Sequence, residues 1–273
     1  MTRPLLAVRI EGHTGTPLVF LHALGGSSRY WAGRLGSLPT GHRCVMPDLL
    51  GFGRSPRPAV AYTITDHLTA LTDTLAALGM ADEPLTLIGH SLGATLAVEF
   101  AARFPERVGG LVVVLGLPLY ANAAEAQAYI RAHGEWMARV TVANGRTAHL
   151  IHLAVATFRP LIAFLARRAT GDFPPEVAAD TVQHSWASYS GTLKHCVLDH
   201  DLMPALHLLP PISILALHGT HDPSAPLPPL RALASGCPNF RLDVLEGGHH
   251  LFLTQHQVCL RAIADYLALS ASH

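Results

Sequence analysis

A serine lies between two glycines in the run Gly-His-Ser-Leu-Gly at residues 89–93. A hydroxyl is a weak nucleophile at neutral pH, so Ser91 needs a base, which is commonly a histidine oriented by a carboxylate. Later in the chain, Asp222 follows an apolar run, and the adjacent His249 and His250 follow another. The chain order Ser, Asp, His therefore predicts nucleophilic attack on an acyl carbonyl, although a Gly-x-Ser-x-Gly run alone also occurs in ordinary turns.

The flanks of this run supply the structural context that the motif needs. Residues 84–88 form a short apolar run typical of a strand, and residues 94–104 carry apolar side chains at helical spacing before Pro105. A strand, a sharp turn and a helix lift the serine hydroxyl clear of the sheet. Glycines avoid side-chain clashes at such a turn, and the helix start adds free amides near the hydroxyl.

The rest of the chain alternates between strand and helix patterns, which predicts a mainly parallel sheet. Helices are predicted at 63–78, where a capping box opens the segment, at 94–104 and at 255–269. Between about residues 118 and 204 the strand pattern disappears, and helical patches occur at 123–137, 147–158 and 161–168. Strands are predicted at 5–10, 17–22, 43–46, 84–88, 111–115, from 212 and from 240.

Composition is that of an ordinary enzyme core. The 273 residues are 49% apolar and 14% charged, with 19 basic and 19 acidic side chains, which gives no reason to expect a nucleic-acid groove or an anionic-membrane patch. No apolar run approaches the ~18 residues of a membrane span, and early charges argue against a signal peptide. We therefore expect a cytoplasmic monomer or homodimer with no nucleic-acid partner and no membrane span.

Cysteine and histidine spacing gives no metal or redox motif. The four cysteines are scattered without a Cys-x-x-Cys pair, and no His-x-x-x-His pair with a glutamate base occurs. His149 and His152 are three residues apart, but two ligands do not define a site. We expect no cofactor and no metal.

Four motifs together resemble the α/β-hydrolase superfamily, in particular its lid-bearing, esterase- and lipase-like branch. They are Phe-Leu-His-Ala-Leu-Gly-Gly at 20–26, Pro-Asp-Leu-Leu-Gly-Phe-Gly-Arg-Ser at 47–55, the serine turn, and the late Asp and His pair. Ala23 stands where the family usually has glycine. The resemblance implies the α/β-hydrolase fold: a mainly parallel eight-stranded sheet flanked by helices, with a helical lid inserted after the sixth strand. The core would comprise residues 1–117 and 205–273, and the lid residues 118–204.

The same resemblance implies roles for site residues. Ser91 would be the nucleophile, Asp222 the orienting acid and His249 the base, since Gly-His before an apolar run is the family pattern. His250 remains the alternative base. The backbone N–H groups of Leu24 and Leu92 would form the oxyanion hole.

Other carboxylates and lid residues leave alternatives open. Asp48 would belong to a structural loop, and Asp199 and Asp201 are weaker rivals for the acid. Arginines of the lid are predicted to lie on a solvated helix face rather than to clamp a carboxylate. Apolar lid residues are predicted either to line the substrate pocket or simply to pack between helices: Trp136, Met137, Leu150, Leu153, Phe158, Leu161, Phe164 and Trp186.

The function that these patterns favour is hydrolysis of carboxylic esters with an apolar acyl or alcohol part through an acyl-enzyme. A serine nucleophile argues against the related haloalkane dehalogenases and epoxide hydrolases, whose intermediates need a carboxylate. A carbon–carbon bond hydrolase, a cofactor-free haloperoxidase, an acyltransferase and a ligand-binding protein with vestigial activity remain alternatives, because one fold hosts many chemistries.

Overall fold

A seven-stranded sheet forms the centre of the computed structural model, which describes residues 4–168, 173–209 and 212–270. The strands are β1 (Val8–Glu11), β2 (Pro17–Leu21), β3 (Arg43–Pro47), β4 (Leu85–His90), β5 (Val108–Leu115), β6 (Ser213–Gly219) and β7 (Phe240–Leu245). Their order across the sheet is β1-β3-β2-β4-β5-β6-β7. Only β1 runs antiparallel to its neighbour; all other described pairs are parallel. The predicted mainly parallel sheet is confirmed.

Every strand predicted from its own residues is present, and the described sheet has seven strands where the resemblance implied eight. β1 begins at Val8 rather than at residue 5. The N–H groups of Leu6 and Ala7 donate to the side chains of Thr74 and Ser55, each at 2.9 Å, and so are not available to a neighbouring strand. Because the described sheet has seven strands rather than eight, the insertion expected after the sixth strand follows β5, the fifth described strand.

Helices cover both faces of this sheet. Their bounds are α1 (Leu38–Gly41), α2 (Ile64–Ala77), α3 (Leu92–Arg103), α4 (Ala123–His133), α5 (Trp136–Ala143), α6 (Gly145–Thr157), α7 (Arg159–Ala166), α8 (Pro175–Asp180), α9 (Trp186–Leu193), α10 (Met203–Leu208), α11 (Leu227–Gly236), α12 (Leu251–Thr254) and α13 (His256–Ser270). Short 3-10 helices occur at Ser28–Tyr30 and Pro105–Arg107, and a π-helical turn at Lys194–Leu198. The capping box predicted for α2 is present, with the Thr63 and Asp66 side chains bonding each other's backbone N–H.

The core has two layers because successive side chains of a strand point to opposite faces. Val112 and Val114 of β5 pack in the layer with α2 and α3, whereas Val113 and Leu115 pack in the layer with Trp31 and α13. β4 is buried along its whole length and β5 from Val112 to Leu115, as expected for parallel strands covered on both faces.

The segment between β5 and β6 is helical and contains α4 to α10; we call it the helical insertion. The predicted single helix over 123–137 is wrong, since α4 ends before Gly134 and α5 starts at Trp136. Gly134 folds back on Ile130, and a Cβ there would lie 2.8 Å from the Ile130 carbonyl oxygen. Residues 169–172 of the predicted lid, residues 210–211 and the outermost chain ends lie outside the described residues.

Buried hydrogen bonds attach the helical insertion to the core. Ser188 Oγ donates to the Gly51 carbonyl at 3.0 Å, and His67 Nε2 lies 3.0 Å from Thr192 Oγ1. Ser27 Oγ donates to Asp180 Oδ2 at 2.5 Å. In the described part of the chain no single helix combines the length and apolar content of a membrane span, whereas α6 and α7 satisfy both together but meet at 88°.

Candidate active site

Ser91 occupies the turn between β4 and α3 in a conformation that non-glycine residues rarely adopt. Its φ is 54° and its ψ is −116°. Strain of this kind persists only where surrounding contacts fix it. The Ser91 N–H donates to the Leu115 carbonyl of β5 at 2.9 Å, and its own carbonyl accepts the N–H groups of Ala94 and Thr95. The strained turn is therefore anchored on both the sheet and the helix.

The two glycines of the serine motif are required by close backbone packing. A Cβ at Gly89 would collide with the carbonyl of Gly93, and a Cβ at Gly93 would collide with the backbone of Leu21 in β2. The motif therefore lets α3 pass directly over the neighbouring strand and places Ser91 at the carboxyl edge of the sheet.

Asp222 and His249 form a buried pair at the same edge of the sheet. Asp222 follows β6 and His249 follows β7, and His249 Nδ1 lies 2.8 and 2.9 Å from the two oxygens of the Asp222 carboxylate. The backbone N–H groups of Ser224 and Ala225 donate to Asp222 Oδ1 at 2.8 and 2.9 Å. The carboxylate is thus fixed by its own loop and bonds the nitrogen that would orient the ring.

Burial and mutual attraction act in opposite directions on the pKa values of this pair. Burial lowers the pKa of His249, but attraction to Asp222 and their hydrogen bond more than offset it, so the His249 pKa is raised above 6.5. Burial likewise raises the pKa of Asp222, but His249 outweighs it, so the Asp222 pKa is lowered. Asp222 is therefore ionised near neutral pH and stabilises the protonated imidazole.

His90, inside the serine motif, holds the backbone of His249. Its Nε2 donates to the His249 carbonyl at 2.8 Å, and its ring stacks on Tyr30 at a centroid distance of 4.7 Å. Burial holds the pKa of His90 well below 6.5, so the ring is neutral and serves as a fixed donor. This contact joins the serine turn directly to the histidine loop.

Gly116, immediately after β5, makes room for the Asp222–His249 pair. Its φ is 55°, and a Cβ there would lie 3.1 Å from both Asp222 Oδ2 and His249 Nδ1. Gly116 was not among the residues predicted for the site. The available signal was a glycine directly after a buried strand, which indicates a close approach by another group.

The loop that carries Leu24 is pinned by His22. The Leu49 N–H donates to His22 Nε2 at 2.8 Å, and His22 Nδ1 donates to the Ala23 carbonyl at 2.8 Å. Ala23 has no positive φ, so alanine fits where the resembled family usually has glycine. Leu24 lines the same cavity as Ser91, while Leu92 begins α3 and so carries one of the N–H groups that a helix start leaves without an intrahelical partner.

A cavity of about 80 Å³ opens at Ser91 and His249. Its walls from the helical insertion are mainly apolar: Ile130, Ala138, Tyr189, Leu193 and Val197. The apolar residues predicted to line or pack this region are mostly elsewhere. Trp136, Leu150, Leu153, Phe158, Leu161 and Phe164 are instead exposed at the surface.

Glu135 is a cavity residue that sequence reasoning missed. Its Oε1 lies 2.7 Å from Nε2 of His250, which also lines the cavity, so the helical insertion contacts the histidine loop directly. Burial raises the pKa of Glu135, but the hydrogen bond from His250 more than offsets it, so the pKa is lowered. Glu135 was hidden inside the helix predicted over 123–137, and only the break at Gly134 exposes it.

The rival carboxylates either accept backbone N–H groups or are exposed. Asp48 is buried and accepts the N–H groups of Ser28 at 2.6 Å and Arg54 at 2.8 Å, which ties two loops together. Asp199 and Asp201 are exposed, and Asp201 accepts the N–H of Met203.

Two histidines of the helical insertion make ring contacts. His149 and His152 pack against Trp186 at centroid distances of 5.2 and 5.0 Å. Across the described residues, no group of three or more His, Cys, Asp or Glu side chains is arranged to hold a metal ion.

Comparison with known proteins places this architecture in a family. The family model described as alpha/beta hydrolase fold matches residues 16–255. A (lyso)-N-acylphosphatidylethanolamine lipase of Homo sapiens is 34% identical over 158 residues, covering 55% of this chain and 44% of that one. The chain spans less than half the length of the curated relatives that it matches.

Solved structures with the same fold cover nearly the whole chain. A thermophilic esterase from Thermogutta terrifontis superposes with a TM-score of 0.72 at 20% identity, covering 97% of this chain and 93% of that one. An E-2-(acetamidomethylene)succinate hydrolase gives a TM-score of 0.73 at 22% identity, covering 98% and 99%. With the family model matching most of its length, the chain belongs to the α/β hydrolase fold family.

Proposed function

We propose that this protein is a serine hydrolase that cleaves carboxylic esters with an apolar acyl or alcohol part. The observation that carries the proposal is the arrangement around one small cavity. Ser91, at a strained strand-to-helix turn, and His249, paired with buried Asp222, line it together. A nucleophile, a base and an orienting carboxylate in this relation are the parts that acyl transfer needs.

In the proposed mechanism Ser91 Oγ attacks the ester carbonyl while His249 Nε2 accepts the hydroxyl proton. Asp222 holds Nδ1–H, which fixes the tautomer and stabilises the imidazolium. His249 then donates the proton to the leaving alcohol, and an acyl-enzyme forms on Ser91. Water, activated by the same histidine, attacks the acyl-enzyme, and Ser91 recovers its proton as the carboxylic acid leaves.

The negative charge that develops on the carbonyl oxygen would be held by the backbone N–H groups of Leu24 and Leu92. Loss of one such donor typically costs about 3 kcal/mol of transition-state stabilisation. The position of Leu92 at the start of α3 supports this role, since the helix dipole favours negative charge there.

We further propose that residues 118–204 act as a lid, because α4, α5 and α9 supply the apolar cavity wall opposite Ser91. A cavity of about 80 Å³ accommodates an acyl group of a few carbons, whereas pockets for drug-sized ligands have volumes of roughly 300 Å³ or more. The names of a structural neighbour, an esterase, and of a relative, a lipase, support ester chemistry.

A panel of p-nitrophenyl esters of increasing acyl length tests this proposal. We expect turnover that is greatest for acetate to butyrate, falls for octanoate, and collapses in Ser91→Ala and His249→Ala. Transfer of the acyl group to an added alcohol in preference to water would instead indicate an acyltransferase. Labelling of Ser91 by a fluorophosphonate without turnover of any ester would favour a carbon–carbon bond hydrolase. Absence of both ester turnover and labelling would indicate a binding protein.

A further inference from the structure

Large apolar side chains are exposed mainly on one part of the helical insertion. Of the eleven large hydrophobic residues exposed in the described chain, seven fall between residues 136 and 165. They are Trp136, Leu150, Leu153, Phe158, Leu161, Phe164 and Leu165, each 49–68% exposed. We call these seven residues the apolar insertion face. They lie on or between α5, α6 and α7, three consecutive helices each of which contacts the next. Such a concentration of exposed apolar side chains is typical of an interaction site, whereas apolar residues scattered singly over a surface are not.

The spacing of these residues shows that α7 exposes a stripe. Leu161, Phe164 and Leu165 stand at i, i+3 and i+4, and Phe158 precedes Leu161 by three, so they share one side of the helix. Leu150 and Leu153 of α6 are likewise three apart. A short helix with an outward apolar stripe has the form of a segment that lies in an interface.

Charge on the same segment is strongly one-sided although the whole chain is neutral. Residues 136–168 contain five arginines and no lysine, aspartate or glutamate. The five are Arg139, Arg146, Arg159, Arg167 and Arg168. The Arg168 guanidinium lies 3.6 Å from the centroid of the Phe164 ring, which places a cation directly beside the apolar stripe.

A second cavity, distinct from the candidate active site, adds to this basic character. It has a volume of about 260 Å³ and includes Ala163 and Arg167 of α7 together with Arg9, Arg29 and Arg54 of the core. Its two carboxylates are already engaged: Asp48 by backbone N–H groups, and Asp180 by Ser27 and Arg29. Arg9 Nε is buried without a hydrogen-bond partner among the described residues. Four arginines against two aspartates leave the lining with a net positive charge, and the cavity is large enough for an anionic head group.

We propose that the apolar insertion face binds the surface of a membrane that contains anionic phospholipid. The apolar side chains would enter the acyl boundary, the flanking arginines would contact phosphates, and a head group would occupy the arginine-lined cavity beside α7. A second copy of this chain fits less well, because a symmetric contact would bring the exposed arginines of one copy near those of the other with no acidic residue in residues 136–168 to pair with them. The exposed arginines are Arg139, Arg146, Arg167 and Arg168. This inference goes beyond the proposed function, since binding does not require hydrolysis.

Vesicle co-sedimentation with the Ser91→Ala protein tests the proposal without turnover of lipid. The probes are phosphatidylcholine vesicles with and without phosphatidylserine. We expect binding to the phosphatidylserine vesicles to exceed binding to pure phosphatidylcholine by tenfold or more, and to weaken in about 0.5 M NaCl because salt screens the arginines.

Matched variants locate the binding surface. The double variant Leu161→Ser with Phe164→Ser should weaken vesicle binding at least tenfold. The double variant Arg167→Gln with Arg168→Gln should remove most of the preference for phosphatidylserine, because each arginine contributes about fivefold to the affinity for anionic vesicles. Leu208→Ser and Arg231→Gln change an exposed leucine and an exposed arginine outside residues 136–168 and should leave binding unchanged. Circular dichroism checks that each variant is folded.

Two results would overturn the proposal. One is equal binding by the face variants and the control variants. The other is absence of vesicle binding. If sedimentation velocity then shows a concentration-dependent dimer that the double variant Leu161→Ser with Phe164→Ser abolishes, the apolar insertion face would be assigned to self-association. Hydrolysis of soluble p-nitrophenyl esters by the wild type is measured separately, so failure here leaves the proposed function intact.

Discussion

Ser91, Asp222 and His249 depend on neighbours that carry no chemistry in the proposed reaction. Gly89 and Gly93 permit the strained turn, and Gly116 leaves space at the acid–base pair. His90 holds the His249 backbone as a neutral donor. At the scale of single residues, the site is therefore defined as much by missing side chains and fixed donors as by the nucleophile itself.

The pH dependence of activity follows from the raised pKa of His249. The base must be neutral to accept the Ser91 proton, and a raised pKa keeps it protonated to higher pH. The acidic limb of kcat/KM should therefore have its midpoint above 6.5. A pH–rate profile with p-nitrophenyl butyrate measures it.

The Asp222→Asn variant serves as the control for this assignment. Without the carboxylate, burial lowers the His249 pKa and only the weaker attraction to Glu135 opposes it, so the acidic limb of kcat/KM should move to lower pH. The plateau of kcat/KM should fall by about 10⁴-fold. A limb that stays in place in this variant would show that another group controls the titration.

Gly116 offers a second test with an internal control. Gly116→Ala and Gly110→Ala both place alanine at a positive φ, of 55° and 83°, so each should lose stability by about 1–2 kcal/mol. Only at Gly116 does the new Cβ approach Asp222 and His249, because Gly110 has open space. We expect kcat to fall at least tenfold in Gly116→Ala alone. An equal fall in kcat in both variants would mean that backbone strain, rather than contact with Asp222 and His249, lowers the activity.

At the scale of elements, the break between α4 and α5 gives the cavity its polarity. It places Glu135 in the wall beside His249, and no arginine or lysine lies among the residues that line the cavity in the described structure. An ionised carboxylate at this point disfavours a second negative charge on the acyl chain.

Discrimination against anionic esters is the expected consequence. The wild type should cleave p-nitrophenyl butyrate in preference to p-nitrophenyl hemisuccinate. Glu135→Gln should reduce that preference by about two- to fivefold, a modest effect because the Glu135 side chain is half exposed. The ratio of kcat/KM values for the two esters measures it. The control is Asp201→Asn, which removes an exposed carboxylate that does not line the cavity and accepts the N–H of Met203. An identical change in that variant would rule out a local effect of Glu135.

At the scale of the whole molecule, sequence patterns located the strands and the core helices α2, α3 and α13 well, because their periodicity reflects burial in a two-layer core. The motif residues at the carboxyl edge were also found, since parallel strands bring the ends of β4, β6 and β7 together.

The helical insertion was predicted less well, for a physical reason. Its apolar residues have helical spacing whether they face a pocket, a neighbouring helix or solvent, so sequence alone could not show that Leu161 and Phe164 are exposed. The roles of Gly116 and Glu135 likewise depend on contacts between elements far apart in the chain. Overall neutrality also concealed the basic segment over residues 136–168.

The most direct test of the central claim is intact-protein mass spectrometry after reaction with a fluorophosphonate, followed by peptide mapping. The proposed mechanism predicts one adduct per chain on Ser91, absent in Ser91→Ala and formed far more slowly in His249→Ala. An adduct on a different residue, or ester turnover that persists in Ser91→Ala, would contradict it.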